Sequence, residues 1–295
     1  MLLPHLSGES RILFARVLAA VLISGLATGA TASSTALDRI KSTGTVTFAY
    51  RAGAAPFSFK GRNGTPQGYS VELCEKVAAA IAKSLAIGNP RIEWTPVDAA
   101  TRIDAVANGQ VDAECGTSTI TLSRRQRVDF SVPIFVDGGS VLVRTKDHYT
   151  RLADLAGKRI GMIPGTTTES ALTRALKVAD VKADLVPVKS GGEGVAALQA
   201  GKVDAYASDR IVLAGLKMAD ARGDALDLMN QDFSYEPYGL IVRRDDPDFR
   251  LAVDRALVGL YKSGEIDAVF VKWLAPLGAP SPLLNAMFYL NSLPE

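Results

Sequence analysis

One pattern occurs twice in this chain and constrains its fold more than any other feature. Residues 102–113 read RIDAVANGQVDA and residues 195–205 read VAALQAGKVDA. Each is a short helix, then glycine, then one polar residue, then Val–Asp–Ala. Glycine at a helix end adopts the left-handed conformation that stops the helix. Val–Asp then opens a strand. Two such units point to two equivalent layers of helix on sheet.

The surrounding segments alternate in the same way. Thr45–Tyr50 is β-branched and aromatic, as strands are. Gly53, Pro56, Gly61, Gly64, Pro66 and Gly68 mark a loop or hairpin. Ser70 is placed to cap a helix running to about Leu85, with Glu72 in its first turn where negative charge suits the helix dipole. Val71, Cys74, Val77, Ala78, Ile81 and Leu85 fall on one face at helical spacing. Arg91–Pro96 is a strand, Thr101–Asn108 a helix, and Val111–Cys115 a strand. A second series gives strands at Lys158–Ile163, Asp184–Val188 and Val203–Ala207, with helices at Thr167–Val178, Glu193–Gln199 and Asp209–Met218. The tail adds a strand at Gly239–Arg243 and helices from Asp246 to Lys262 and from Ser263 to Trp273. Such alternation predicts an α/β chain with mostly parallel sheets covered by helices. Strand-like segments near residues 140 and 240 read as crossovers into a second domain and back. The expected division is 33–143 plus 241–295 for the first lobe and 144–240 for the second.

The N-terminus sets the compartment. Arg11 and Arg16 precede the uncharged run Val17–Ala27, and the small residues Ala30–Thr31–Ala32 follow. Positive start, apolar middle and a small-x-small site predict a cleaved signal peptide over residues 1–32. A membrane anchor would need roughly 20 apolar residues, more than this run offers. No cysteine stands near the cleavage site for lipid attachment. The whole chain has a net charge of +2, and no basic stripe of the kind nucleic acid requires, so no nucleic-acid partner is expected. Cys74 and Cys115 are either a disulfide, which export permits, or two buried thiols. Two Cys and two His, with His5 in the leader, do not assemble a zinc site. His148 reads as a surface loop residue. No metal, cofactor or catalytic residue is expected.

Several segments then carry a family likeness: Pro56–Phe–Ser–Phe59 followed by Gly68–Tyr–Ser70; Glu114–Cys–Gly–Thr–Ser–Thr119; Arg124 before Phe130–Ser131; Gly165–Thr–Thr–Thr–Glu169; Val203–Asp–Ala–Tyr–Ala–Ser–Asp209; and Tyr238–Gly239 before Arg244–Asp–Asp–Pro247. In this order the chain resembles the periplasmic amino-acid-binding proteins of ABC transporters, of the polar amino-acid type, solute-binding protein family 3, and within them the glutamate/aspartate-binding group. The resemblance implies a two-lobed periplasmic-binding-protein fold of type II. Two sheet-and-helix lobes would be joined by crossover strands near 142–147 and 236–242, with a ligand cleft that closes between them. It further implies a monomer in the periplasm that hands a small-molecule amino acid to membrane permease subunits.

A free amino acid carries a carboxylate and an ammonium, and burying either without a partner is costly. The resemblance assigns Arg124 to the α-carboxylate, since a guanidinium fork matches a carboxylate in two bonds. It places Thr117, Thr119, Thr166 and Thr167 as further donors, and Asp209 on the ammonium. Each residue also has an ordinary alternative. Arg124 lies in a charge run with Arg125 and Arg127, Thr166–Thr168 and Asp209 suit helix caps, and Arg102 could pair with Asp98 or Asp104. Arg51 stands five residues before Pro56, where relatives that bind cationic amino acids tend to have Asp. With Arg102 it implies an acidic side chain, glutamate or aspartate. Ala99 and Gly191 stand where the acidic group often has Ser and His, which keeps glutamine, asparagine or a small dicarboxylate open. Rivals of other classes are a dehydratase-like enzyme using Glu114 or Glu169, and a receptor's sensing domain acting through a separate partner.

Overall fold

The alternating segments build two five-stranded sheets on one plan. In a computed structural model describing residues 35–294, the first sheet runs in the order Arg91–Val97, Thr45–Arg51, Ala113–Cys115, Ile241–Val242, Asp129–Phe130. Its first three strands are parallel, and Ile241–Val242 is antiparallel to both neighbours. The second runs Asp184–Pro187, Arg159–Met162, Ala205–Asp209, Gly139–Arg144, Leu226–Leu228. Again three parallel strands precede an antiparallel strand. The signal peptide expected at 1–32 lies outside the described residues.

The repeated sequence units occupy equivalent places in the two sheets. Gly109 has φ +68° and Gly201 φ +69°, the left-handed turn that only glycine adopts without strain. Each turn delivers its chain to the third parallel strand.

Both faces of the second sheet are covered, which a parallel sheet requires. Along Gly139–Arg144, Val141 and Val143 pack with Leu172 and Leu176 of the helix Thr167–Val178. Leu142 points the other way, among Val195, Leu198 and Leu213 of the helices Gly191–Gln199 and Arg210–Ala219. Each such buried aliphatic side chain contributes about 1.5–3 kcal/mol.

Cys74, on the helix Tyr69–Ser84, and Cys115, at a strand end, form a disulfide. The open choice between bridge and thiols resolves to the bridge. Ser70 is not the cap. The helix begins at Tyr69 behind Gly68, and the Ser70 hydroxyl donates to Gly116 O at 2.8 Å.

The segment expected as a first crossover lies inside the second sheet up to Arg144. Outside both sheets, Phe135–Asp137 pairs antiparallel with Glu236–Tyr238, and here the chain passes between them. Phe57 packs edge-on against Phe135 and Tyr238 beside this ribbon, with ring centroids 4.9 and 5.5 Å away. Among the described residues no helix is long and apolar enough to cross a membrane.

Candidate ligand cleft

Parallel strands carry side chains for chemistry at their carboxyl ends, and four of them do so here. Arg51 ends the strand Thr45–Arg51, and the loop Gly116–Thr119 follows Ala113–Cys115. Thr166 lies beyond Arg159–Met162, and Asp209 ends Ala205–Asp209. Arg102 opens a short helix of the first sheet, and Arg124 opens a short 3₁₀ turn.

All eight expected residues line two adjoining cavities. Arg51, Arg102, Thr117, Thr166 and Asp209 face an inner one of about 40 Å³. Thr119, Arg124, Thr166 and Thr167 face an outer one of about 580 Å³, together with Glu236. The hydroxyls of Thr119 and Thr167, 3.1 Å apart, meet at the outer cavity, and Thr166 lines both.

The arginines turn inward. Arg102 is 2 % exposed, donates from Nη1 to Ala99 O at 2.7 Å, and leaves Nε unpartnered. The surface pairing with Asp98 or Asp104 does not form. Asp98 accepts the backbone N–H groups of Ala100 and Thr101, and Asp104 pairs with Arg127. Burial, with Arg51 nearby, lowers the Arg102 guanidinium to about 9, while Glu114 and Asp209 oppose the shift. Arg124 donates from Nη1 to Thr119 O at 2.7 Å. Burial lowers its pKa too, against the charges of Glu236, Glu114 and Asp209. Arg125 and Arg127 make outward ion pairs, so the run divides into one cleft residue and two surface residues.

Thr166 does cap its helix, accepting from Glu169 N at 3.2 Å. Asp209 sits at an N-cap position without capping. Its Oδ1 accepts from Thr168 at 2.8 Å and its Oδ2 from Tyr238 at 2.6 Å. Burial raises its pKa, as does Glu236, and the two hydroxyls and Arg102 pull it down.

Four residues in or behind the cleft escaped the sequence reading: Thr168, Glu236, Tyr238 and Asp137. Glu114 was expected there only as the acid or base of the enzyme rival. Glu114 is fully buried, accepts from Ser118 at 2.7 Å, and keeps its Oε1 unpartnered. Glu236 accepts from Thr119 Oγ1 at 2.6 Å. Tyr238 lay within a quoted family segment, the one signal that pointed to it. Gly191 also gains a reason: a Cβ there would stand 2.8 Å from Leu216 Cδ1. Among the described residues no cluster of His, Cys, Asp or Glu is placed to hold a metal ion.

Three guanidiniums, three buried carboxylates and a ring of hydroxyls thus converge. Such a set matches a small ligand carrying both signs of charge.

Comparison with known proteins agrees with this frame. Residues 46–276 match the bacterial extracellular solute-binding proteins, family 3. The chain is 34 % identical over 238 residues to the L-glutamate/L-aspartate-binding protein of Pseudomonas aeruginosa, covering 80 % of this chain and 79 % of that one. It is 29 % identical to the glutamate/aspartate import solute-binding protein of Salmonella typhimurium, with 92 % of each covered. A solved ancestral arginine-binding protein bound to arginine superposes with a TM-score of 0.70 at 30 % identity, over 79 % of this chain and 99 % of that one. The expected type II periplasmic-binding fold is therefore the one observed, and the relatives matched here are named as binders of solutes. The chain belongs to the bacterial extracellular solute-binding proteins, family 3.

Proposed function

We propose that this protein captures an acidic amino acid, glutamate or aspartate, in the periplasm and delivers it as a monomer to the permease of an ABC importer. The observation that carries the reading is that Arg51 and Arg102 face the same cavity as Asp209. Asp209 receives the ammonium, and the two arginines receive the side-chain carboxylate and repel a cationic one. Arg124, Thr119 and the start of the helix Thr167–Val178 take the α-carboxylate, since helix N-terminal N–H groups favour anions. The relatives' names agree with an acidic ligand.

Capture requires motion. The inner cavity is small, about 40 Å³ against about 580 Å³ for the outer one. An amino acid enters when the walls carrying Thr119 and Thr167 separate. The two lobes would swing about the paired strands Phe135–Asp137 and Glu236–Tyr238, with Gly139–Arg144 moving with the second sheet rather than with the first lobe expected at 33–143 plus 241–295. This is hinge closure.

Calorimetric titration of refolded, ligand-free protein tests the reading. Glutamate or aspartate should bind, with glutamine and lysine silent. Preference for lysine or arginine would sink the roles of Arg51 and Arg102. Silence across amino acids, with heat from a dicarboxylate or turnover of a cyclic precursor, would replace the reading altogether.

A further inference from the structure

Three oxygens meet beside the paired strands 135–137 and 236–238, and one hydrogen does not satisfy them. Tyr238 Oη lies 2.6 Å from Asp209 Oδ2 and 3.1 Å from Asp137 Oδ2. A phenol has one hydrogen to donate. The shorter contact takes it, so Asp209 accepts from Tyr238. An ionised Asp137 would then set lone pairs against the phenol oxygen and a second negative charge beside Asp209. A proton on Asp137 removes both conflicts. Asp137 donates to Tyr238, and Tyr238 donates to Asp209.

We propose that Asp137 is held as the neutral acid and is the positioning residue of the ammonium subsite, acting through Tyr238 on Asp209. The ammonium part rests on the amino-acid reading above, whereas the proton on Asp137 does not.

The charged groups around Asp137 agree. Asp209 approaches from the end of Ala205–Asp209. Glu236 is its register partner across the ribbon, and Tyr238 lies two residues on. Arg210 is the nearby cation, but its guanidinium is committed elsewhere: Nε to Asp232, and Nη2 to Met229 O and Ser140 Oγ. From the same helix, the Ile211 N–H donates to Asp137 Oδ2 at 3.1 Å. Asp137 makes no ion pair among the described residues. Desolvation, then the charge of Asp209, raises its pKa to about 8, against the backbone N–H groups of Gly138 and Ile211, which favour the ionised form.

The consequence is functional. With Asp137 neutral, the subsite carries the charge of Asp209 alone against one ammonium, and the Tyr238 hydrogen has one direction. Asp209 keeps lone pairs free for the ligand, because Thr168 and Tyr238 take only one on each oxygen.

Two measurements test this. Infrared spectra of ligand-free protein near neutral pH should contain a protonated-carboxyl C=O band that is missing in Asp137→Asn. The asparagine amide still donates to Tyr238. Asp137→Asn should therefore bind glutamate within about threefold of wild type at pH 7. Wild-type affinity should weaken as pH rises through about 8, approaching about tenfold per unit, and the Asp137→Asn profile should lack that fall. The ligand's own amine titrates identically in both, so the difference belongs to Asp137. Absence of the band overturns the proposal whatever the protein binds. A band with matching pH profiles overturns the positioning role. A band in a protein that binds no amino acid sinks the capture reading and leaves the proton in place.

Discussion

Asp112 and Thr47 hold each other twice: the Asp112 N–H donates to Thr47 O at 2.7 Å, and the Thr47 N–H donates to Asp112 Oδ2 at 2.8 Å. Asp204 does the same to Arg159 in the second sheet, at 2.7 and 3.0 Å. An arginine completes each lock, Arg39 on Asp112 and Arg159 itself on Asp204. Asp112→Asn and Asp204→Asn should each cost about 1.5–3 kcal/mol, the worth of hydrogen bonds to a charged group. Because the two lie in different sheets, the double variant should be additive within about 0.5 kcal/mol. Denaturant unfolding of the four proteins checks this, and strong non-additivity would mean the sheets are not independent.

Asp137 predicts a pH dependence of stability. In the unfolded chain it ionises near 3.9, whereas in the folded protein burial and Asp209 lift it to about 8. Between these values the unfolded state binds fewer protons, so this group makes stability fall as pH rises. Thermal midpoints of ligand-free wild type should decline between pH 5 and pH 8 more steeply than those of Asp137→Asn. Parallel curves would argue that Asp137 is ionised.

Gly116 is where the loop has no room. A Cβ there would stand 2.0 Å from Glu114 Oε1 and 2.8 Å from Arg51 Cγ. Glu114 is fully buried and held by Ser118 only through Oε2, so both its carboxylate and the arginine stem must shift. Gly116→Ala should lose about 1–3 kcal/mol of stability and, if Arg51 receives the side-chain carboxylate as proposed, weaken glutamate more than glutamine. Equal losses for both ligands would remove Arg51 from the side-chain subsite.

The Cys74–Cys115 bridge joins residues 41 apart. Replacing both with Ala should cost about 2–4 kcal/mol. Neither cysteine lines the cavities, so the ligand preference should stay the same by titration.

Much of this architecture is legible in the chain because it is local. The glycines at 109 and 201 announce their turns, and the alternating segments announce parallel sheets. Arg124, Arg102 and Asp209 were visible through the family likeness, and the structure adds which way they face. The strand Glu236–Tyr238 falls within the crossover expected near 236–242, but its partner Phe135–Asp137 and the acids around the pair were not legible. Phe135–Asp137 and Glu236–Tyr238 are three residues each, too short to show a period. Asp137 and Tyr238 meet across 101 residues of sequence. Ser70 suits a cap by sequence yet is not one for a related reason: its hydroxyl serves Gly116 O, 46 residues away. Glu114 read as a strand residue, and it is one. Its pattern gave no sign that the carboxyl lies buried where both Arg102 and Arg124 feel its charge.

On the proposed reading Arg102, with Arg51, receives a carboxylate on the ligand side chain. Titrating wild type and Arg102→Met with glutamate and with glutamine tests it most directly, because the two ligands differ by that one charge. The ratio of the two affinities should fall by about 30-fold or more in Arg102→Met, or about 2 kcal/mol for a lost charge-assisted contact. A ratio unchanged by the substitution would take Arg102 out of the side-chain subsite.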